Sequence, residues 1–268
     1  MRPHRGPHHR GNVPGSESAM GAATHFPAAE VIWQDVEFGS YTADLPLWKE
    51  LAAEAAGKVV ELGAGSGRVG RALAQDGHEV VALEREAELA AEMEGRAGDL
   101  PLTAVEGDAT QIGELAEAAG AALVIGPLQV AQLLDADERA RMLSGISRCL
   151  TPGGRCALAL VDESTLVERC SLGGEPRPDL REVEGWVYSS EPLWVQLSDD
   201  VLRMRRLRER VSPDGDLVRR VHDDVLNRLA PEALEGEAAR AGLSAAGRRD
   251  IPANEFEAGS IVVVLEAR

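Results

Sequence analysis

The feature that most constrains the fold is a short apolar segment that runs directly into a glycine-rich turn. Residues 59–67 read Val-Val-Glu-Leu-Gly-Ala-Gly-Ser-Gly, and the apolar side chains of 67–76 then have helical spacing. A buried strand, a glycine turn and a helix in this order are typical of a β-α-β unit. Glycine lets such a turn adopt positive φ and lets another group approach the backbone closely. The chain is therefore predicted to contain a parallel sheet covered by helices.

Strands and helices alternate along the first 161 residues. The predicted helices are at 47–56, 67–76, 86–96 and 137–150, and the strands are at 58–62, 79–83, 102–105, 121–125 and 155–161. A Gly/Pro-rich loop is predicted at 171–181. Period-two alternation then predicts an antiparallel meander of strands at 183–189, 193–197, 201–211 and 217–226, with turns at 190–192, 198–200 and 212–215. A helix at 231–241 and a β-branched strand at 260–265 follow.

The composition excludes several classes of protein. With 45 acidic and 28 basic residues, the net charge of −17 disfavours binding to nucleic-acid phosphates. Three cysteines are too few and too scattered for a disulfide framework, and no metal site is predicted. No apolar run approaches the roughly 20 residues of a membrane span. The polar start does not resemble a secretory signal, so we expect a cytoplasmic protein without membrane or nucleic-acid partners.

Two acidic residues flank the glycine turn. Glu84 ends the second predicted strand, where a carboxylate can accept both hydroxyls of a ribose. Glu61 lies inside the first strand, where a buried carboxylate is costly unless it is hydrogen-bonded or faces a cation. Gly65, Gly67 and Gly70 also fit the G-x-G-x-x-G pattern of dinucleotide-binding proteins. A nicotinamide cofactor, however, has no ammonium group for Glu61, whereas an amino-acid-bearing nucleoside has one.

Five segments resemble, in order, the motifs of class I S-adenosylmethionine-dependent methyltransferases. They are V-V-E-L-G-A-G-S-G-R from 59, V-V-A-L-E-R from 80, V-E-G-D-A at 105–109, L-V-I-G-P-L-Q at 123–129 and L-T-P-G-G-R at 150–155. A dehydrogenase would explain only the first two. The resemblance implies a doubly wound α/β fold, with a mostly parallel, Rossmann-like sheet of seven strands in the order 3-2-1-4-5-7-6. Residues 243–251 and 260–266 would be strands six and seven, placed after an inserted antiparallel meander.

The resemblance also implies an S-adenosylmethionine site. Glu61 would help to hold the α-amino group through water, Glu84 would bind the ribose, and Tyr41 and Asp44 would close over the methionine end. Asp108 would meet the adenine edge. Arg85 and Ala109 would lie beside the adenine, and Gly126 would lie near the sulfonium. The expected cofactor-binding residues are Tyr41, Glu61, Gly63, Ala64, Gly65, Gly67, Glu84, Arg85, Asp108, Ala109 and Gly126.

Domain organisation follows from these patterns. Residues 1–27 are predicted to be a disordered tail, and residues 28–170 a cofactor-binding core with an N-terminal lid. Residues 171–228 are predicted to form the antiparallel insertion, which caps the acceptor site or makes a dimer contact. Residues 229–268 would return to the core as its last helix and strands.

The sequence says less about the methyl acceptor. The Gly-Pro-Leu-Gln segment at 126–129 lacks the Asn/Asp-Pro-Pro-aromatic motif of amino-group nucleic-acid methyltransferases, and Cys149 and Cys156 read as small core residues. We expect a small-molecule acceptor, methylated at O or N by a monomer or homodimer. An oxidoreductase using NAD(P), a non-catalytic cofactor-binding protein and an RNA methyltransferase remain alternatives. No catalytic base is evident, and the candidates for the acceptor pocket are His222, Tyr188, Gln129, Trp186 and Trp194.

Overall fold

A seven-stranded sheet forms the centre of the protein in the computed structural model, which describes residues 29–172, 177–254 and 258–267. The sheet order is β3-β2-β1-β4-β5-β11-β10, in which β11 runs antiparallel to both neighbours and the other pairs are parallel. When the strands of the main sheet are counted without the meander, β10 is strand six and β11 is strand seven. The observed order is then the predicted one, and the doubly wound class is confirmed. The strands are β1 (Val59–Leu62), β2 (Val80–Glu84), β3 (Leu102–Glu106), β4 (Ala121–Gly126), β5 (Leu150–Val161), β10 (Leu243–Ile251) and β11 (Ser260–Ala267).

Both faces of the sheet are buried, which explains why its strands are continuous apolar runs. Val60 and Leu62 of β1 belong to one core cluster, whereas Val59 belongs to the cluster on the other face. The helices are α1 (Ala29–Phe38), α2 (Leu45–Glu54), α3 (Arg68–Gln75), α4 (Ala87–Ala97), α5 (Val130–Leu133), α6 (Ala136–Cys149), α7 (Glu163–Leu172) and α8 (Pro231–Arg240), with a 3₁₀ turn at Ala109–Glu114.

The inserted meander is a separate four-stranded sheet of β6 (Asp179–Val183), β7 (Trp186–Leu197), β8 (Val201–Val211) and β9 (Leu217–Asn227). The turn predicted at 190–192 is wrong, because β7 runs through it. The pairing of β7 with β8 shifts register between Pro192 and Trp194. Proline is tolerated at such an irregularity because the regular hydrogen bonding of the strands is interrupted there. The first hairpin instead turns at Glu184 and Gly185, whose φ values are 50° and 81°.

Three helices were not predicted: α1, α5 and α7. Helix α1 packs Ile32 and Val36 against Tyr188 of the meander, so it lies between the insertion and the main sheet. Strand β6 and the end of α7 also occupy parts of the segment predicted as a loop at 171–181. The predicted tail at 1–27 lies outside the described residues.

Within the described ranges, no helix combines the length and the apolar character needed to span a membrane. The same part of the chain contains no group of three or more His, Cys, Asp or Glu side chains arranged to bind a metal ion. Cys149 and Cys156 are buried, free thiols.

Candidate cofactor site

A narrow cavity opens where the carboxyl ends of β1 and β4 meet the underside of helix α1. This edge of a parallel sheet is where doubly wound proteins bind their ligands. The cavity is lined by Gln34, Phe38, Gly39, Glu61, Gly63, Ala64, Ser66, Arg68, Val69, Pro127 and Leu128. Of these, the sequence pointed to Glu61, Gly63 and Ala64; helix α1 and Arg68 were missed.

Other groups approach the glycine turn too closely for a side chain to fit. A methyl group added at Gly65 would lie 2.5 Å from Nε2 of Gln34, and one added at Gly67 would lie 2.7 Å from Cγ of Met93. Both glycines have positive φ, 58° and 86°. The two glycines therefore let the side chains of Gln34 on α1 and Met93 on α4 pack directly against the backbone of the turn.

The Glu84 carboxylate faces this turn from the end of β2. Its Oε2 accepts a hydrogen bond from the Gly65 N–H at 2.8 Å, and its Oε1 accepts one from the Glu86 N–H at 3.0 Å. The residue is only 8% exposed. A carboxylate can accept about four hydrogen bonds, so the two oxygens of Glu84 together can accept two more, from hydroxyl groups.

The Glu61 carboxyl is buried at the floor of the cavity and is 2% exposed. Its Oε2 has no hydrogen-bond partner. Burial raises the pKa of this group to about 8, against opposing effects of Arg68 and the Gly70 N–H. Gly70 makes room for it, since a methyl group there would lie 2.6 Å from Oε2.

Arg68 forms the wall beside Glu61. Its guanidinium donates to both carboxylate oxygens of Asp44 at 2.7 Å and to the Tyr41 carbonyl at 2.8 Å, and it lies 5.0 Å from the centre of the Tyr41 ring. Trp48 Nε1 donates to Asp44 as well. The structure thus brings Tyr41 and Asp44 to the edge of the cavity through an arginine that immediately follows the glycine turn.

Helix α1 is attached to the glycine turn by Asp35. This carboxylate accepts a hydrogen bond from the Ser66 hydroxyl at 2.7 Å and two from Arg96 at 2.9 and 2.7 Å. Burial favours a raised pKa for Asp35, but the hydrogen bonds from Arg96 and Ser66 outweigh it and hold the pKa below its usual value. The helix that roofs the cavity is therefore held by a charged contact.

The chain leaves β4 in an unusual backbone conformation. Leu128 and Gln129 both have positive φ, 49° and 63°, which is rare for residues other than glycine and occurs at functional sites. Gln129 donates from Nε2 to the Ser260 hydroxyl at 3.3 Å. Gly126 is required by packing, because a methyl group there would lie 2.6 Å from side-chain atoms of Leu158 and Val130.

The predicted adenine contacts lie after β2 and β3, where neighbouring strands end. Asp108 accepts a hydrogen bond from the Thr110 N–H at 2.8 Å, and hydrogen bonds from the side chain and the backbone of Thr110 hold its pKa below the usual value. Ala109 begins the 3₁₀ turn. The Arg85 side chain is 72% exposed and pairs with Glu86.

The structure does not bring the predicted acceptor residues of the meander to the cavity lining. Tyr188 is 1% exposed and packs edge-on against Trp33, so it is a core residue. His222 is partly exposed and its Nε2 lies 3.2 Å from Oδ1 of Asp224. Trp186 and Trp194 pack instead against the guanidinium groups of Arg210 and Arg205.

Residues 59–154 match the family profile of a methyltransferase domain, and this range holds the glycine turn, both acids and the β4 segment. This part of the chain is therefore a methyltransferase domain. No curated protein matches this chain in a sequence search.

Solved structures resemble this chain over most of its length. The sugar N-methyltransferase KedS8 from a Streptoalloteichus species is 15% identical with a TM-score of 0.66, covering 95% of this chain and 99% of its own. CalS10, an amino pentose methyltransferase from Micromonospora echinaspora solved with S-adenosylmethionine bound, is 16% identical with a TM-score of 0.65, covering 91% and 99%. The CcbJ methyltransferase from Streptomyces caelestis is 20% identical with a TM-score of 0.63, covering 86% and 98%. At these identities the likeness shows the fold, including the meander.

Proposed function

We propose that this enzyme transfers the methyl group of S-adenosylmethionine to an O or N atom of a small-molecule acceptor. The observation that carries the proposal is the glycine turn under α1, where the Gly65 N–H donates to Glu84 and the buried Glu61 lines the adjoining cavity. An adenosyl amino acid has a ribose diol for the first acid and an ammonium group for the second. The unpartnered, buried Oε2 of Glu61 fits such a cation.

The chain's own residues would bind and orient the reactants. Glu84 would accept the ribose hydroxyls, Asp108 the adenine edge, and Glu61 the α-amino group, while Tyr41 and Arg68 would close the methionine end. The cofactor brings an activated methyl group, so the protein mainly has to align the acceptor and exclude water. Helix α1 provides that exclusion above the turn.

The acceptor class is supported by the fold neighbours. Two of them are described as a sugar N-methyltransferase and an amino pentose methyltransferase. A glycopeptide N-methyltransferase, MtfA, shares the fold at a TM-score of 0.57 and was solved with S-adenosylhomocysteine. These neighbours favour a nitrogen atom on a sugar or a similar small molecule over the oxygen alternative.

We further propose that the enzyme works as a monomer or homodimer, in the cytoplasm and without nucleic acid. The free thiols of Cys149 and Cys156 suit a reducing compartment. The arginines of β8 do not form an open basic stripe, because Arg205, Arg206 and Arg208 are paired with carboxylates. The net charge of −17 also disfavours binding to nucleic acid.

The proposal is tested by incubating the enzyme with methyl-labelled S-adenosylmethionine and a panel of amino sugars, amino-glycosides and hydroxylated small molecules. We expect labelled product and S-adenosylhomocysteine from at least one acceptor. A thermal-shift comparison of S-adenosylhomocysteine with NAD addresses the oxidoreductase alternative. Stabilisation by NAD and not by S-adenosylhomocysteine would reject the proposal.

The Glu84→Ala variant is expected to bind S-adenosylhomocysteine more weakly by about 1–3 kcal/mol, because charge-assisted hydrogen bonds to the ribose are lost. Calorimetric titration measures this change. Glu86→Ala is the matched control, since the Glu86 side chain is exposed beside the same turn and should leave the affinity unchanged. Equal affinities for Glu84→Ala and the wild type would remove the ribose assignment.

A further inference from the structure

The Glu61 carboxyl is buried in an arrangement that leaves it without a counter-charge of its own. It projects from β1 under the first turn of α3, and its Oε2 touches no donor. A buried polar atom without a partner loses its hydration and regains nothing. A neutral carboxylic acid tolerates this position far better than a carboxylate does.

The charged groups around Glu61 also disfavour its ionised form. The one cation facing it is Arg68, on α3, and this guanidinium already forms two hydrogen bonds to Asp44, which precedes α2. The third neighbour is Glu84 at the end of β2, a second carboxylate. An ionised Glu61 would therefore be the third negative charge around a single positive one. The Gly70 N–H is the remaining polar group that faces it.

We propose that Glu61 carries a proton in the cofactor-free enzyme and releases it to solvent when the α-ammonium group of the cofactor binds beside it. This inference rests on the proposed function. In the step, the O–H bond of the Glu61 carboxylic acid breaks and its proton goes to the buffer, while the ammonium keeps all three N–H bonds. The arriving cation supplies the counter-charge that Arg68 cannot supply.

The linkage predicts a pH-dependent affinity. The pKa of Glu61 in the cofactor-free protein is about 8, so about nine-tenths of the molecules hold the proton at pH 7. Below pH 8, the affinity for an ammonium-bearing ligand should fall up to about tenfold for each pH unit, since one proton must be displaced. Ordinary carboxylates of pKa near 4 would give no such dependence between pH 6 and 8.

The experiment is calorimetric titration with S-adenosylhomocysteine at pH 7 in phosphate and in Tris, whose ionisation enthalpies differ. Close to one proton should be released per ligand bound by the wild type. 5′-Methylthioadenosine, which lacks the amino acid, should bind without release. Glu61→Gln should abolish the release and flatten the pH dependence, whereas the control Glu86→Gln, which changes an exposed side chain near the same turn, should leave the proton count unchanged.

Each outcome separates the two proposals. Binding of S-adenosylhomocysteine without proton release would overturn the inference while leaving the proposed function intact. Release that persists in Glu61→Gln would also overturn it, because the proton would come from another group. Absence of S-adenosylhomocysteine binding by the folded wild type would reject the proposed function and this inference together.

Discussion

The Glu61→Gln variant is expected to be more stable than the wild type in the absence of cofactor, by about 3 kcal/mol at pH 7. In the unfolded chain the Glu61 carboxyl ionises with its usual pKa of 4.5, whereas in the folded protein burial raises the pKa to about 8. Folding at pH 7 must therefore take up a proton at this position. Glutamine has nearly the shape of the protonated acid and needs no proton.

The pH dependence of this difference has a defined sign. When folding raises the pKa of a group, the free energy of unfolding falls as the pH rises from the pKa in the unfolded chain to the pKa in the folded protein. The two proteins should thus be nearly equal in stability below pH 4.5, diverge by about 1.4 kcal/mol per pH unit above it, and level off above pH 8. Urea unfolding followed by circular dichroism at pH 5, 7 and 9 measures this. A wild type that is the more stable protein at pH 7 would show that Glu61 is ionised and paired.

The Asp35→Ala variant is expected to lose about 2–4 kcal/mol of folding stability, because it leaves the half-buried Arg96 without its main counter-charge. It also removes the acceptor for the Ser66 hydroxyl on the glycine turn. Helix α1 would then be held mainly through the meander, so S-adenosylhomocysteine should bind more weakly as well. Urea unfolding and calorimetric titration measure the two effects.

Glu30→Ala is the matched control for Asp35→Ala. Glu30 lies on the same helix, but its side chain is 64% exposed and its ion pair with Arg208 is long, at 3.9 Å. An exposed pair of this kind contributes about 0–1 kcal/mol, so the control should unfold almost like the wild type. If both variants lost the same small amount of folding stability, the Asp35 contacts would not be what holds helix α1 over the cavity.

Much of the fold could be predicted because its signals are local. A β-branched run such as Val59–Leu62 followed by glycines specifies a buried strand and an open turn within nine residues. The order of the sheet followed from a resemblance that spans five such segments. The meander was predicted for the same reason, since period-two alternation is visible along each strand.

The errors arose where contacts between distant residues decided the structure. Ser190-Glu191-Pro192 looks like a turn, yet pairing with β8 carries the strand through it. Helix α1 has no strong start or stop signal, and it is fixed by contacts that cross the chain, from Asp35 to Arg96 and from Glu37 to Arg208. The positive φ of Leu128 has no sequence signal either, because leucine disfavours that conformation.

By itself, the sequence determined the doubly wound sheet, its glycine turn and the two acids beside that turn, because hydrophobic periodicity and backbone freedom act between near neighbours. Only the tertiary structure decided that α1 roofs the turn, that Arg68 is committed to Asp44, and that one Glu61 oxygen is left without a partner. Burial and the pairing of charges depend on every element that packs around a group, and those elements meet only in the folded chain.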